Sequence, residues 1–161
     1  AMRLGRGGKA ARENSPRNGK PAALLLGGSA LRAPGLRAAS RIAQSSGCTL
    51  LSETFISRVE RGAGIPAVAR IPYFPEQASD LLERFSQLIL VGADRPVAFF
   101  GYPGRDGRVV PESCTPLALA TPQQDAAGAL EALAERLAAA AEHKATAERP
   151  AEVHHTNGLR L

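Results

Sequence analysis

Apolar residues fall in short blocks along this chain, and their spacing alternates between two periods. Ala22–Leu26 is five apolar residues in a row, which predicts a strand buried on both faces of a parallel sheet. A helical pattern follows. Pro34 suits its first turn, Leu36, Ala39 and Ala43 with Ile42 form its apolar stripe, and Arg32, Arg37 and Arg41 face outward. Gly47 fits the left-handed residue that ends such a helix. Thr49–Ser52 then reads as a second strand, completing a strand–helix–strand crossover. Gly62, Gly64, Pro66 and Pro72 break residues 54–73 into a long loop, with one short turn expected at Ile56–Glu60. Pro75 opens a second helix with Ala78, Leu81, Leu82 and Phe85 inward. Leu88–Val91, Val97–Phe100 and Pro116–Ala120 read as further strands. Thr121-Pro-Gln-Gln124 is a capping-box pattern opening a last helix, with Asp125 in its first turn and His143 and Lys144 in its last. Its buried stripe is predicted as Ala126, Leu130, Leu133, Ala134, Leu137 and Ala141. These elements predict an α/β domain with a parallel sheet flanked by helices.

Composition narrows the class. A chain of 161 residues has room for one domain with a sizeable core, carried here by Ala, Leu and Val because aromatics are only 4%. No run approaches the roughly 20 apolar residues of a membrane span, and no apolar stretch follows the first basic residues as in a signal peptide. The whole net charge of +5 sits in residues 1–20, where six basic residues face Glu13 alone. The rest of the chain is balanced, so residues 1–18 read as a solvated basic linker rather than an RNA-binding arm. Neither nucleic acid nor membrane is an expected partner. Cys48 and Cys114 lack metal-ligand spacing and read as reduced, buried thiols of a cytoplasmic protein.

Several motifs fail on inspection. Gly5-Arg-Gly-Gly-Lys9 follows no strand and is succeeded by Ala10 instead of a Ser or Thr. Gly62-Ala-Gly64-Ile-Pro-Ala67 matches a dinucleotide fingerprint, yet lies in a loop where Pro66 removes an N–H. Gly27-Gly-Ser-Ala-Leu31 has Leu where a nucleophile elbow needs Gly, and His154 with His155 are adjacent residues poorly placed to share a metal. Gly27, Gly28, Gly92 and Gly101 each follow an apolar run. They are candidate nucleotide-binding residues along the carboxyl edge of the sheet, or simple strand-to-helix turns, since no acid is clearly placed for a ribose.

A longer set of segments, in order, resembles one family. These are Gly19-Lys-Pro-Ala-Ala-Leu-Leu-Leu-Gly-Gly28, Glu53-Thr-Phe55, Arg58, Glu60-Arg-Gly-Ala-Gly64, Pro72-Tyr-Phe-Pro-Glu-Gln77, Leu90-Val-Gly-Ala93 and Pro96-Val-Ala-Phe-Phe-Gly-Tyr-Pro103. Over about residues 19–145 the chain is similar to the central domain of thiamine-diphosphate-dependent enzymes, in an acetolactate synthase large-subunit-like branch near benzoylformate decarboxylase. The resemblance implies a three-layer, Rossmann-like domain of the DHS-like NAD/FAD-binding type, with a roughly six-stranded parallel sheet. It also implies an enzyme of three domains. Thiamine diphosphate and Mg2+ would be held by an N-terminal pyrimidine-binding domain and a C-terminal diphosphate-binding domain, both outside this chain. The nearest sequence to the family's Gly-Asp-Gly motif is Gly104-Arg-Asp-Gly107, with Arg inserted.

Some members bind FAD in the central domain. This chain departs from their pattern, because Gly27-Gly28 is followed by neither a third glycine nor an adenosine-binding acid. The resemblance places the loop 53–77 nearest the active centre, with Arg58 and Arg61 either meeting a carboxylate substrate or forming surface ion pairs. Residues 146–161 would be the linker towards the C-terminal domain. The implied activity is decarboxylation and carboligation of 2-oxo acids such as pyruvate, by a homo-oligomer. Residues 19–145 alone would be catalytically inactive and need no cofactor. The alternatives are a decarboxylase of the benzoylformate type, or a stand-alone FAD/NAD-binding module.

Overall fold

The computed structural model describes residues 21–101, 103–104 and 107–147. The basic lead, Tyr102, Arg105, Asp106 and nearly all of the expected carboxyl linker, with His154 and His155, lie outside the described residues. Among the described residues five strands and three α-helices run in the order β1 (Ala22–Leu26), α1 (Ala33–Ser46), β2 (Thr49–Ser52), β3 (Ala69–Arg70), α2 (Pro75–Leu82), β4 (Gln87–Val91), β5 (Thr115–Ala120) and α3 (Ala126–Ala147), with a single 3-10 turn, Gly28–Leu31, before α1. All neighbouring strands are parallel, in the order β3-β2-β1-β4-β5. The α/β class and the strands β1, β2, β4 and β5 follow the apolar blocks of the sequence.

Strand pleating divides the core into two faces. Ala23 and Leu25 of β1 join Leu51, Leu88, Ala78, Leu82 and Phe85 beneath α2. Leu24 and Leu26 join Leu36, Ile42, Val91, Ala126 and Leu130 beneath α1 and α3. The helix–sheet–helix layers of a Rossmann-like domain result. Gly47, at φ 72°, ends α1 with its N–H donated to the Ala43 carbonyl at 2.8 Å, as the sequence predicts.

Four expectations are corrected. The sheet has five strands among the described residues, not six. Val97–Phe100 is not a strand; Val97 makes a single antiparallel bridge with Arg108. Val97, Phe99 and Phe100 are 71%, 63% and 53% exposed, and apart from that bridge and the Ala98 N–H to the Gly107 carbonyl the run lies outside the sheet. β3 lies inside the expected loop, too short and too exposed to leave a period. Ile56–Glu60 is irregular, with one bend at Ser57 and no helical turn.

The last helix also starts later than the capping-box pattern suggests. Thr121–Gln124 closes as a separate turn, with the Thr121 N–H donated to Gln124 Oε1 at 2.8 Å and the Gln124 N–H to the Thr121 carbonyl at 3.0 Å. Asp125 caps α3 instead, accepting the Gly128 N–H on Oδ1 at 2.9 Å. Ala126, Leu130 and Ala134 are buried, while Ala141 is exposed. The helix continues to Ala147, two residues into the expected linker.

Candidate functional site

The strand order places a topological switch point between β1 and β4. From β1 the chain crosses to β2 and β3 on one side; β4 and β5 lie on the other. Ligands of open α/β sheets bind in the crevice outside the strand ends at such a point. Here the crevice is closed by backbone. The Gly27 N–H is donated to the Val91 carbonyl at 3.0 Å, and the Gly92 N–H to the Ala120 carbonyl at 2.8 Å. A methyl built on Gly27 would lie 2.5 Å from Glu53 Oε2 and closer still to the Gly92 carbonyl oxygen. One built on Gly92 would lie 2.7 Å from the Gly27 carbonyl oxygen, at a residue already held at φ 65°. Close strand-end packing explains both glycines.

Beside this junction stands an acid that the sequence reading did not assign. Glu53 leaves the carboxyl end of β2, and its Oε1 accepts the Asp94 N–H at 3.4 Å. Burial pushes the Glu53 carboxyl above its usual range, and the neighbouring Asp94 charge adds to the rise, while the Asp94 N–H opposes it. Its signal was positional: an acid directly after a strand, about 25 residues beyond Gly28, is where Rossmann folds place a ribose ligand.

The amino end of α1 is likewise occupied. A dinucleotide pyrophosphate would meet the first N–H groups of this helix, where the dipole is positive. Arg32 gives no side-chain cap. Instead the Glu60 carboxylate accepts the Ala33 N–H, while the Glu60 N–H is donated to the Leu31 carbonyl at 2.9 Å. The β2–β3 loop thus folds back across the helix start. A pyrophosphate placed there would have to displace Glu60 and overcome its charge, so the residues as arranged do not fit a dinucleotide.

Two clefts flank the end of β2. One, of about 310 Å³, is lined by Ser52, Glu60, Arg61, Ile65, Val68 and Arg70. The other, of about 220 Å³, is lined by Glu53, Phe55, Tyr73, Asp94, Arg95 and Phe99 among others. Of the expected substrate-proximal residues, Arg61 lines the first cleft together with Arg70, whereas Arg58 is exposed and lines neither. Arg70 was hidden because β3 was. Of the expected nucleotide residues, Gly27, Gly28 and Gly92 gather at the switch point. Gly101 lies in the β4–β5 connection with open space around it. Among the described residues, no group of three or more His, Cys, Asp or Glu could hold a metal ion, and no helix is long and apolar enough to cross a membrane.

A comparison of the sequence with known proteins finds 51% identity over 122 residues with a Mycobacterium tuberculosis protein named "Putative acetolactate synthase large subunit IlvX". The chain resembles part of an acetolactate synthase large subunit. The match takes in 76% of this chain but spans only 24% of that protein. No protein-family model matches the chain, and no solved structure does.

Proposed function

We propose that the chain is the central, buttressing domain of a thiamine-diphosphate-dependent enzyme of the acetolactate synthase type. The observation that carries this reading is the 51% identity to a quarter of one such large subunit. The Rossmann-like strand order with a self-filled switch point supports it, because a scaffold domain needs the sheet but not the nucleotide crevice. Thiamine diphosphate with Mg2+, held by the other domains, supplies the nucleophile and electron sink for decarboxylation and carboligation of 2-oxo acids. This chain contributes position and charge. Arg61 and Arg70 both line one cleft, where a substrate carboxylate would be oriented and held by charge-assisted hydrogen bonds.

The test is an assay of the product of the complete reading frame with pyruvate, thiamine diphosphate and Mg2+. Acetolactate is the expected product; release of an aldehyde instead would assign a decarboxylase of the benzoylformate type, and no turnover of any 2-oxo acid would overturn the thiamine reading. The 161-residue chain alone is expected to be inactive. FAD, NAD and ADP are each expected to leave its melting temperature unchanged. A clear upward shift with any of them would favour a nucleotide-binding module.

A further inference from the structure

Five of the seven aromatic residues of the chain gather on one exposed face. Phe55 follows β2, Tyr73 and Phe74 precede α2, and Phe99 and Phe100 lie beyond β4. Their rings touch: centroids are 5.0 Å apart for Phe55–Phe99, 4.9 Å for Phe99–Phe100, 5.4 Å for Tyr73–Phe74 and 5.9 Å for Phe55–Tyr73. Yet each remains 40–63% exposed, and Val97 beside them is 71% exposed. A cluster that is assembled but half in water is a surface awaiting a cover.

Its size, its rim and the length of a relative together point to the cover. An aromatic side chain buries about 150–250 Å², so five half-exposed rings leave on the order of 500 Å² of apolar surface. Two copies joined through this face would bury about 1,000 Å² in total, the lower bound for a specific dimer. Contacts between domains of one chain run from about 600 to 1,500 Å² and carry a more polar rim, since the tether lowers the cost of association. The rim here is mixed, with Glu53, Asp94 and Arg95 around the same cleft. The M. tuberculosis relative is about four times as long as the segment it shares with this chain.

We propose that the aromatic face is the seat of another domain of the same polypeptide, which lays aliphatic or aromatic side chains over Phe55, Tyr73 and Phe99 and roofs the 220 Å³ cleft. The inference rests on the chain being one domain of a longer enzyme, and it assigns the surface through which that domain is held.

The test compares the 161-residue chain with the product of the complete reading frame, each with and without the double substitution Phe55→Ser, Phe99→Ser. Binding of the dye 1-anilinonaphthalene-8-sulfonate reports the open face, and melting temperature reports its burial. The short chain should bind dye, and the double variant should lose that signal several-fold with its melting temperature within about 2 °C. The long protein should bind little dye, and its double variant should melt at least about 5 °C lower. Equal dye binding by the long and short proteins would overturn the proposal. So would a reading frame that encodes nothing beyond this chain, or micromolar dimerisation of the short chain that the double substitution abolishes. A long protein that buries the face but turns over no 2-oxo acid keeps the interface and removes the thiamine reading. An active protein with the face open does the reverse.

Discussion

Gly27 and Gly92 hold the centre of the sheet's carboxyl edge by lacking side chains. Gly27→Ala would drive a methyl into the Gly92 carbonyl and Glu53, and Gly92→Ala would add a clash with Gly27 to an unfavourable positive φ. Each should cost at least about 2 kcal/mol in urea unfolding, because backbone on a central strand end has little room to retreat. Gly101→Ala, with open space around it and no positive φ, should stay within about 0.5 kcal/mol of the parent. Three glycines that look alike in the sequence thus separate by what stands opposite each.

Glu53 gives a prediction with a sign. Its carboxyl is raised in the folded state, chiefly by burial. The folded protein therefore holds that proton more tightly than the unfolded chain does. The contribution is favourable below the ordinary carboxylate range, and is lost as pH rises through the raised folded value. Glu53→Gln, which can still accept the Asp94 N–H, should remove this dependence. Relative to the parent, the variant should gain stability as pH rises from about 4 to about 7, measured by denaturant titration at several pH values. The position of Glu53 after an apolar run was readable; its partial burial against Gly27 and Asp94 was not, because it depends on β2 and β4 ending at the same level.

At the scale of elements, the blocks with a clear period folded as their patterns indicate, and the failures have specific causes. β1, β2 and β4 are apolar because the sheet buries them, whereas β5, at the sheet edge, is buried only at Ala120. Val97–Phe100 is equally apolar for another reason: it supplies Phe99 and Phe100 to the exposed aromatic face. Hydrophobicity marks what will be covered, and does not say by which neighbour. The start of α3 failed through competition between two local caps. Thr121 and Gln124 satisfy each other in a turn, leaving Asp125 to cap the helix. Asp125→Ala should cost about 1 kcal/mol, Asp125→Asn much less, and Thr121→Ala should leave α3 intact in the circular dichroism of the folded protein. The loop between β2 and β3 has no period at all. Its fold-back is anchored through Glu60 on α1, a contact 27 residues apart that no local pattern records.

For the whole molecule, the carboxyl edge combines a closed switch point, two clefts and an aromatic face within the segments that follow β1, β2, β3 and β4. On the proposed thiamine-enzyme reading, Arg61→Ala in the product of the complete reading frame should raise the KM for the 2-oxo acid about tenfold, as expected on losing one charged hydrogen bond of about 1.5 kcal/mol. Arg58→Ala should leave it unchanged, because Arg58 is outside the cleft. Arg41 and Glu131, 2.5 Å apart, tie α1 to α3 on the far surface, but both side chains are about half exposed and the pair adds little.

The two layers covering the sheet are unequal. α1 and α3 seal one face along its length, whereas among the described residues the other is covered by the eight-residue α2 with Ile71 and Phe85 beside it and Ala93, Val109, Val110 and Cys114 from an irregular connection. Among its described residues, the Ala98 N–H is donated to the Gly107 carbonyl at 2.9 Å and the Cys114 N–H to the Pro111 carbonyl at 3.0 Å, and none of them lies in a helix or a sheet strand. Opening it exposes part of one core while leaving the other shut. Amide protons of its described residues should therefore exchange with deuterium in a sub-global step, well before those of β1, whose Leu24 and Leu25 lie between paired strands and should exchange only when the entire domain comes apart.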